Sequence, residues 1–493
     1  MIDAINNAND FLNNILFGVP MIIFILGTGL YLTIRLGFIQ ITKIKDIWNN
    51  TIKKMFKNLK EESDVVSKND SILTAESTFN QMLSNIKDFK QGKEIDEIWF
   101  AVYNWYMQND EWKPKLKEAI KGFSHKNDAE KITEENIKRL YGNTLKTSVS
   151  RLEQYRECPF SFHLKYGLKL KEREEFVVRP IDTGSFMHEV IDEFFENTKN
   201  IKTIEDQEIK EIVNNIIDEK LSLSKNYIFT STPRFAVLTN ILKKAILQSI
   251  TYIVQQMKNS DFEIAGNEIE FNRKIDNVEI TGKIDRIDTA QNEQGKYIRI
   301  IDYKSSDRSI NLNELEAGTQ IQLLTYLDTM VEKTKNIPVG MLYFNLIDPV
   351  IKASRNLTDE QIQEELKKQF RMSGMVLADV NIIRMMDKNL QTGASSTIPV
   401  TLDKNGDIMD SRSNAITKEQ FTLLQNKVKK IIKQIAKEIL EGNIEIKPTY
   451  NKGKKEEACK YCEYKSICCF NPNVNNYSFI DNKSKKELLD NLQ

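Results

Sequence analysis

The sequence predicts an α/β protein whose core is a helix, a three-stranded meander, a second helix and a fourth strand, surrounded by further helices. One N-terminal helix is apolar enough to span a membrane. Three observations carry this expectation. Residues 262–306 contain three alternating runs, FEIAGNEIEFNRKI, VEITGKIDRIDTA and KYIRIIDYKSS, separated by turn-forming Asp276-Asn277 and by Asn292 to Gly295, the pattern of an antiparallel meander. Helical stretches lie on both sides, at about 203–258 and 314–335, and VGMLYFNLID supplies the fourth strand. At the other end, Phe11–Ile34 runs 24 residues without a charge, enough to cross a bilayer core of about 30 Å.

Taken in order, residues 1–64 read as a transmembrane-like helix and a basic juxtamembrane segment. Asp3 and Asp10 precede the apolar run, and Lys43, Lys45, Lys53, Lys54, Lys57 and Lys60 follow it, which puts the rest of the chain on the cytoplasmic side. The run is too long for a secretory leader and has no basic start; the remaining alternative is a buried core helix. Residues 61–72, EESDVVSKNDSI, read as a linker. Residues 65–147 read as a helical region, from the apolar spacing of FNQMLSNIKDF and EIWFAVYNWYM. Its aromatic group Trp99, Phe100, Tyr103, Trp105 and Tyr106 is expected to be packed core rather than a base-stacking surface. Residues 148–470 form the expected main domain, in which Asp182 or Thr183 can cap a helix carrying His188, and 357–390 and 416–441 are expected to be helical. Residues 471–493 read as a polar tail.

Composition narrows the chemistry. The 493 residues are 40% hydrophobic and 28% charged, with 70 basic and 70 acidic side chains, so contact with nucleic acid would need local basic grooves rather than a global field. Five cysteines, four of them within residues 459–469, are too few for a secreted disulfide scaffold and suggest metal binding in a reducing compartment. The GK pairs at 92, 282, 295 and 453 are not followed by Ser or Thr, so no phosphate-binding loop of the G-x4-G-K-[ST] type is expected and ATP hydrolysis would fall to a partner.

The meander carries the candidate chemistry. Asp302 and Lys304 are two apart on the third strand and share a face, and the preceding hairpin brings Asp285 alongside. Two carboxylates can hold a divalent cation against a phosphodiester, and a lysine can position water or offset developing charge; the Tyr303 carbonyl offers a further oxygen ligand. The bland alternative is a solvated sheet face. Against it, Asp302 follows Ile298, Ile300 and Ile301, and Asp285 follows Ile280 and Ile284, so both sit in stretches that bury well and need a reason to be charged.

Cys459, Cys462 and Cys468 form C-x2-C-x5-C, and Cys158 lies 301 positions before the first of them, in YRECPFSF. Four soft thiolates suit zinc or an iron–sulfur cluster, and one distant cysteine with three close ones favours a cluster over a zinc ribbon. By spacing, Cys469 is expected to be a bystander.

The strand order and the segments GKIDRID and IDYKSS resemble the PD-(D/E)xK nucleases of the RecB family. The resemblance implies catalytic roles for Asp285, Asp302, Lys304, Gln322 and Tyr326, the last two in QLLTY, and metal ligation by His188, Asp285, Asp302 and the Tyr303 carbonyl, with Mg2+ or Mn2+. The cysteine pattern together with this core resembles the C-terminal half of AddB-type proteins over about residues 73–480. That implies a 4Fe-4S cluster on Cys158, Cys459, Cys462 and Cys468, acting as a staple; DNA as substrate; an AddA-like helicase–nuclease as partner; and exonuclease action in double-strand-break repair and recombination. Separately, residues 11–45, including FGVPMIIFILGTGLYLTIRLGFIQI, resemble the first membrane helix of sodium:alanine symporters. A gene fusion, a frame-crossing join or an anchored enzyme, tethered to the membrane through residues 11–34, would each produce such a start.

Overall fold

The computed structural model describes residues 74–490, except 91–92, 124–125, 174, 350 and 352–356, and before residue 74 only Thr28 and Arg35. The expected membrane segment and the basic stretch after it therefore lie outside the described residues, apart from those two positions. Among the described residues no helix is long and apolar enough to cross a membrane. The chain divides into two units, Met1–Phe123 and Ser124–Gln493.

In the first unit, α1 (Ala75–Lys90), α2 (Ile98–Gln108) and α3 (Lys113–Phe123) pack around Phe79, Met82, Tyr106 and Leu116. The aromatic group on α2 is only partly core. Tyr106 is buried and Trp99 and Tyr103 pack against it, but Phe100 is 37% and Trp105 52% exposed, because an apolar residue at nearly every position of a helix cannot all face one side.

The second unit opens with α4 (Glu134–Tyr141), β1 (Leu145–Ser148), α5 (Val149–Glu157), the short α6 (Pro159–Phe162) and a π-helical turn at His163–Gly167. Then follow α7 (Pro180–Asn197), α8 (Asp206–Ser222) and α9 (Pro233–Lys258). The expected cap of α7 differs: the helix starts at Pro180, and Asp182 sits at its third position, accepting from the Arg179 amide at 2.9 Å. The expected single stretch 203–258 is two helices, since Thr232 caps α9 and Pro233 stands at its first position.

The meander forms as expected: β2 (Glu263–Ile275), β3 (Val278–Asn292) and β4 (Gly295–Lys304). The expected helix 314–335 is broken into α10 (Leu312–Ala317), ended by Gly318 at φ +85°, and α11 (Gln322–Thr334). After β5 (Ile337–Asn345), the stretch expected to be helical contains α12 (Asp359–Gln369), β6 (Ser373–Leu377) and α13 (Val380–Met386). β6 is the correction here: four of its five residues are buried, and so short an apolar run has no period to distinguish strand from helix. A hairpin of β7 (Gly393–Ala394) and β8 (Thr401–Leu402), then β9 (Ala415–Ile416), lead to α14 (Lys418–Leu440). The cysteine-rich end folds as β10 (Thr449–Asn451), β11 (Glu456–Glu457), α15 (Lys465–Cys468) and β12 (Ser478–Ile480). The expected polar tail ends in α16 (Lys485–Asp490), which buries Leu488 and Leu489 against the main core.

One sheet organises the unit, in the order β1-β3-β4-β5-β6-β9 with β2 also on β3. β4 and β5 run parallel, and Tyr297–Tyr303 of β4 is buried throughout, as expected of a strand covered on both faces. β2 pairs along nearly the whole of β3, whereas the other edge of β3 is shared: β1 pairs with Val278–Thr281 and β4 with Arg286–Asn292. The β3–β4 ladder ends at Arg286 opposite Ile301, and in the same register the next facing pair is Asp285 and Asp302. The strands fork there.

β6 depends on a glycine. Gly374 has φ +140°, and a Cβ there would meet the Met341 carbonyl at 2.2 Å across the β5–β6 ladder. Gly374→Ala is expected to destabilise the second unit by about 2 kcal/mol or more, seen as a thermal midpoint several degrees lower.

Candidate active site

The fork leaves Asp285 and Asp302 opposite one another, with ladder bonds on one side and open backbone on the other. Instead of a strand carbonyl, the Tyr303 amide bonds the Asp285 side chain at 2.8 Å. α7 closes over this point. Its buried face, Phe186, Met187, Val190, Ile191, Phe194 and Phe195, packs into the core, and Gly184 lets it come close to the end of β4, where a Cβ would lie 3.2 Å from the Ser305 hydroxyl. One turn on from Gly184, His188 points at the fork: its Nε2 lies 3.0 Å from the Tyr303 carbonyl, and its Nδ1 lies 3.6 Å from Asp285 and 3.8 Å from Glu268.

The ligand atoms of His188, Glu268 and Asp285 all lie within 4.8 Å of one another. Glu268 was not legible from the sequence as a site residue. It sits on β2 with φ +48°, a left-handed conformation that costs a non-glycine residue about 1 kcal/mol, and it also pairs with Lys283. Asp302 and Lys304 line the same cavity of about 500 Å³, together with Asp192, one turn beyond His188, and Gln322. The sequence-derived residues thus converge, and Glu268 and Asp192 join them.

Crowding of acids shows in their protonation. Burial, reinforced by the charge of Asp302, pushes the Asp285 carboxyl up to about 7. Burial and the nearby Glu196 and Glu268 push Asp192 up to about 6. Burial alone would lower the His188 imidazole, but contact with Glu268 and the charges of Asp285 and Asp302 outweigh it and raise it. Such a set holds more negative charge than its own cations neutralise, the condition that a bound metal ion relieves.

Lys304 is held on the other side of Asp302. Its ammonium lies 2.6 Å from Asp302 and donates to Gln322 at 3.0 Å, and Gln322 in turn donates to the Tyr326 hydroxyl at 3.0 Å. Gln322 and Tyr326 therefore orient the lysine. A further residue fixes Gln322. One oxygen of Glu153, on α5, accepts from the amides of Ile321 at 2.6 Å and Gln322 at 2.9 Å, tying down the start of α11. Burial pushes its carboxyl up to about 7 despite those bonds and the charges of Arg308 and Lys304. A lone glutamate on an amphipathic helix gave no signal of this in the sequence.

The four expected cysteines also converge. Cys158, Cys459, Cys462 and Cys468 line one cavity of about 300 Å³, while Cys469 is exposed and is not among the lining residues. Burial first, then the neighbouring thiols, pushes Cys459 up to about 12. Cys158 is also raised by burial, against which the backbone amides of Ser161, Phe160 and Lys447 favour its thiolate. Asn127 braces the loop, donating to the carbonyls of Cys468 at 2.9 Å and Cys469 at 3.1 Å.

Comparison with known proteins gives three family matches. Residues 146–469 match the PD-(D/E)XK nuclease superfamily, residues 67–122 the fifth domain of the ATP-dependent helicase/deoxyribonuclease AddB, and residues 2–79 the sodium:alanine symporter family. The chain is 38% identical over 470 residues to an ATP-dependent helicase/deoxyribonuclease subunit of Clostridium acetobutylicum, covering 89% of this chain and 40% of the relative. It is 36% identical to the protein of the same name from Thermoanaerobacter sp. strain X514, covering 90% and 41%, and 37% identical to that of Clostridium tetani, covering 89% and 40%. The chain thus spans about two fifths of the length of these relatives.

Glu153→Gln tests the role of the buried acid, because it keeps an acceptor oxygen and removes the ionisation. A carboxyl that titrates near 7 when folded, against 4.5 ordinarily, stabilises the fold below 4.5, and that contribution is lost as pH rises through 7. Wild type is therefore expected to lose stability between about pH 5 and pH 8 relative to Glu153→Gln, so the variant's thermal midpoint gains on wild type across that range. Glu153→Ala, which strands both amides, is expected to cost about 1–3 kcal/mol at either pH.

Proposed function

The chain belongs to the PD-(D/E)XK nuclease superfamily, and from that premise we propose that it is a metal-dependent deoxyribonuclease, the exonuclease module of an AddAB-type helicase–nuclease acting in double-strand-break repair and recombination. The observation that carries this reading is the convergence on one cavity of His188, Glu268 and Asp285 with the Asp302–Lys304–Gln322 chain. The names of the relatives support DNA as substrate and an AddA-like helicase–nuclease as partner.

One imidazole among several oxygens suits a hard divalent cation, Mg2+ or Mn2+, and the residues that would hold it are His188, Glu268, Asp285 and Asp302, with the Tyr303 carbonyl at hand. Bound there, the ion would supply Lewis-acid polarisation of the phosphate and activation of water. The protein's own part is positional. Asp302 and Gln322 hold the Lys304 ammonium at the cavity wall, where it can orient the attacking water and meet the negative charge that grows on the phosphate oxygens. Tyr326 holds Gln322 in turn.

Four cysteines around one cavity, three close in the chain and one distant, suit a 4Fe-4S cluster. Such a cluster would clip residues 458–469 to the end of α5, a structural task rather than an electron-transfer one. A second reading rests on the chain spanning about two fifths of its relatives: a fragment that folds around its cluster but needs a helicase partner for activity.

Asp302→Ala is expected to lower magnesium-dependent degradation of end-labelled single-stranded DNA by at least about 10³-fold while leaving the circular dichroism spectrum unchanged. Wild type as inactive as the variant, yet restored by an added helicase partner, would establish the second reading. Anaerobically prepared protein is expected to be brown, with iron and acid-labile sulfide in equal amounts. Cys158→Ser should lose the colour and release the C-terminal segment to protease, whereas stoichiometric zinc in wild type would sink the cluster assignment.

A further inference from the structure

Three carboxylates stand in a row across the sheet at the fork. The β2–β3 ladder pairs Asn267 with Arg286 and Ile269 with Ile284, a register that sets Glu268 opposite Asp285, and Asp302 follows on β4. A lysine flanks each end of this row. Lys304 stands two residues beyond Asp302. Lys283 stands two residues before Asp285, lines the same cavity and, by strand alternation, faces the same way. Its ammonium pairs with one oxygen of Glu268, whose other oxygen lies 3.8 Å from the His188 Nδ1. The partners differ in burial, since the Lys283 side chain is 51% exposed and that of Glu268 18%. Directly opposite Lys283 in the ladder is Glu270, which is exposed, so the lysine reaches along the strand to the cavity carboxylate, past the acid that faces it.

We propose that Lys283 is a built-in counter-cation of Glu268 that the divalent ion has to displace, so that this lysine sets the affinity of the site for its metal; the inference deepens the nuclease reading and rests on it. A carboxylate ligates a hard cation through its oxygen lone pairs. Glu268 shares those lone pairs with an ammonium, and an ammonium a few ångströms from a doubly charged ion repels it. Metal and lysine therefore compete for one side chain. Lys283 is suited to yield. Half of it is already in water, where an ion pair contributes little, and Glu270 stands across the ladder to receive it. Lys304 is placed differently, held by Asp302 at 2.6 Å and Gln322 at 3.0 Å with its side chain 25% exposed. One lysine of the site is thus fixed and the other exchangeable. Until it yields, Lys283 is a positioning residue, which offsets one charge of the row and keeps Glu268 beside His188.

The test is metal affinity without turnover. Mn2+ is titrated into the full chain, prepared anaerobically, and unbound Mn2+ is followed by electron paramagnetic resonance at one pH and one ionic strength. Lys283→Met is expected to bind Mn2+ about tenfold more tightly than wild type, and Lys283→Arg, which keeps the charge, to stay within about threefold of it. Thermal midpoints add a second readout. Without added divalent ion Lys283→Met should melt below wild type, and saturating Mn2+ should close the gap. A lysine with a purely structural role would lower both midpoints alike and leave the affinity as it was, which would overturn the proposal. So would weaker Mn2+ binding in Lys283→Met, because the lysine would then support the ligand rather than compete for it. Asp302→Asn separates this inference from the reading beneath it. Mn2+ binding that Asp302→Asn abolishes and Lys283→Met leaves unchanged overturns the counter-cation alone, whereas wild-type binding that Asp302→Asn leaves intact removes the metal site and the nuclease reading with it.

Discussion

Everything at the site follows from setting two carboxylates face to face inside a sheet. Asp302 is 1% exposed and Asp285 stands opposite it where the β3–β4 ladder ends. Left alone, two such anions would repel across a few ångströms in a medium that screens poorly. The surrounding structure answers each of them. The Tyr303 amide and His188 face Asp285, Lys304 faces Asp302, and the strands part at this point, leaving room between them. The residual imbalance appears in the raised Asp285 carboxyl. Stability alone would favour apolar residues in these places, and the charge left over is of the sign that a bound cation would meet.

On the opposite face, the same two strands carry a buried charge cluster built from the chain's own residues. Arg286 and Arg299 both pair with Asp288, at 2.6 and 2.8 Å, and all three are buried. The contrast is instructive, because strand alternation sends Asp285 to one side and Arg286 to the other. Asp288 has two arginines and stays well ionised, held below its usual value by them against the cost of burial. Asp285 has none. Adjacent positions in one short motif thus separate into a buried cluster whose one carboxylate has two arginines and a site whose carboxylates have none.

Much of this was legible in the sequence because it rests on period-two geometry. Asp302 and Lys304 had to share a face, and the hairpin at Asn292–Gly295 had to return Asp285 to them. The four cysteines were likewise legible as a set, since thiols clustered in an otherwise cysteine-poor chain have few other uses. What could not be read depends on contacts between distant segments. Glu268 is set by a β2 register that shifts between Ile264 and Gly266, and a bulge leaves no mark in alternation. β1 and β6 are four and five residues long, too short for a period to emerge, and β6 looked helical because its neighbours are. The partial exposure of the α2 aromatics was hidden for a related reason, since a helix apolar on all sides does not say which side is covered.

Glu153 exposes a link that no single motif contains. α5 carries Glu153 in its middle and ends at Cys158, its C-cap residue. One end of this helix therefore belongs to the cysteine cavity, while its side chain fixes the start of α11 and, through Gln322, the position of Lys304. α5 is also tied to α14 by Arg156–Glu438 at 3.2 Å. Joining Cys158 to cysteines some three hundred residues away costs on the order of 5 kcal/mol of chain entropy, and the fold brings all four to one cavity. A group held at Cys158 would therefore bear on the helix on which the lysine's support is built. A centre with no direct role in bond cleavage can then set how well the lysine is held, because two hydrogen bonds and one helix separate them.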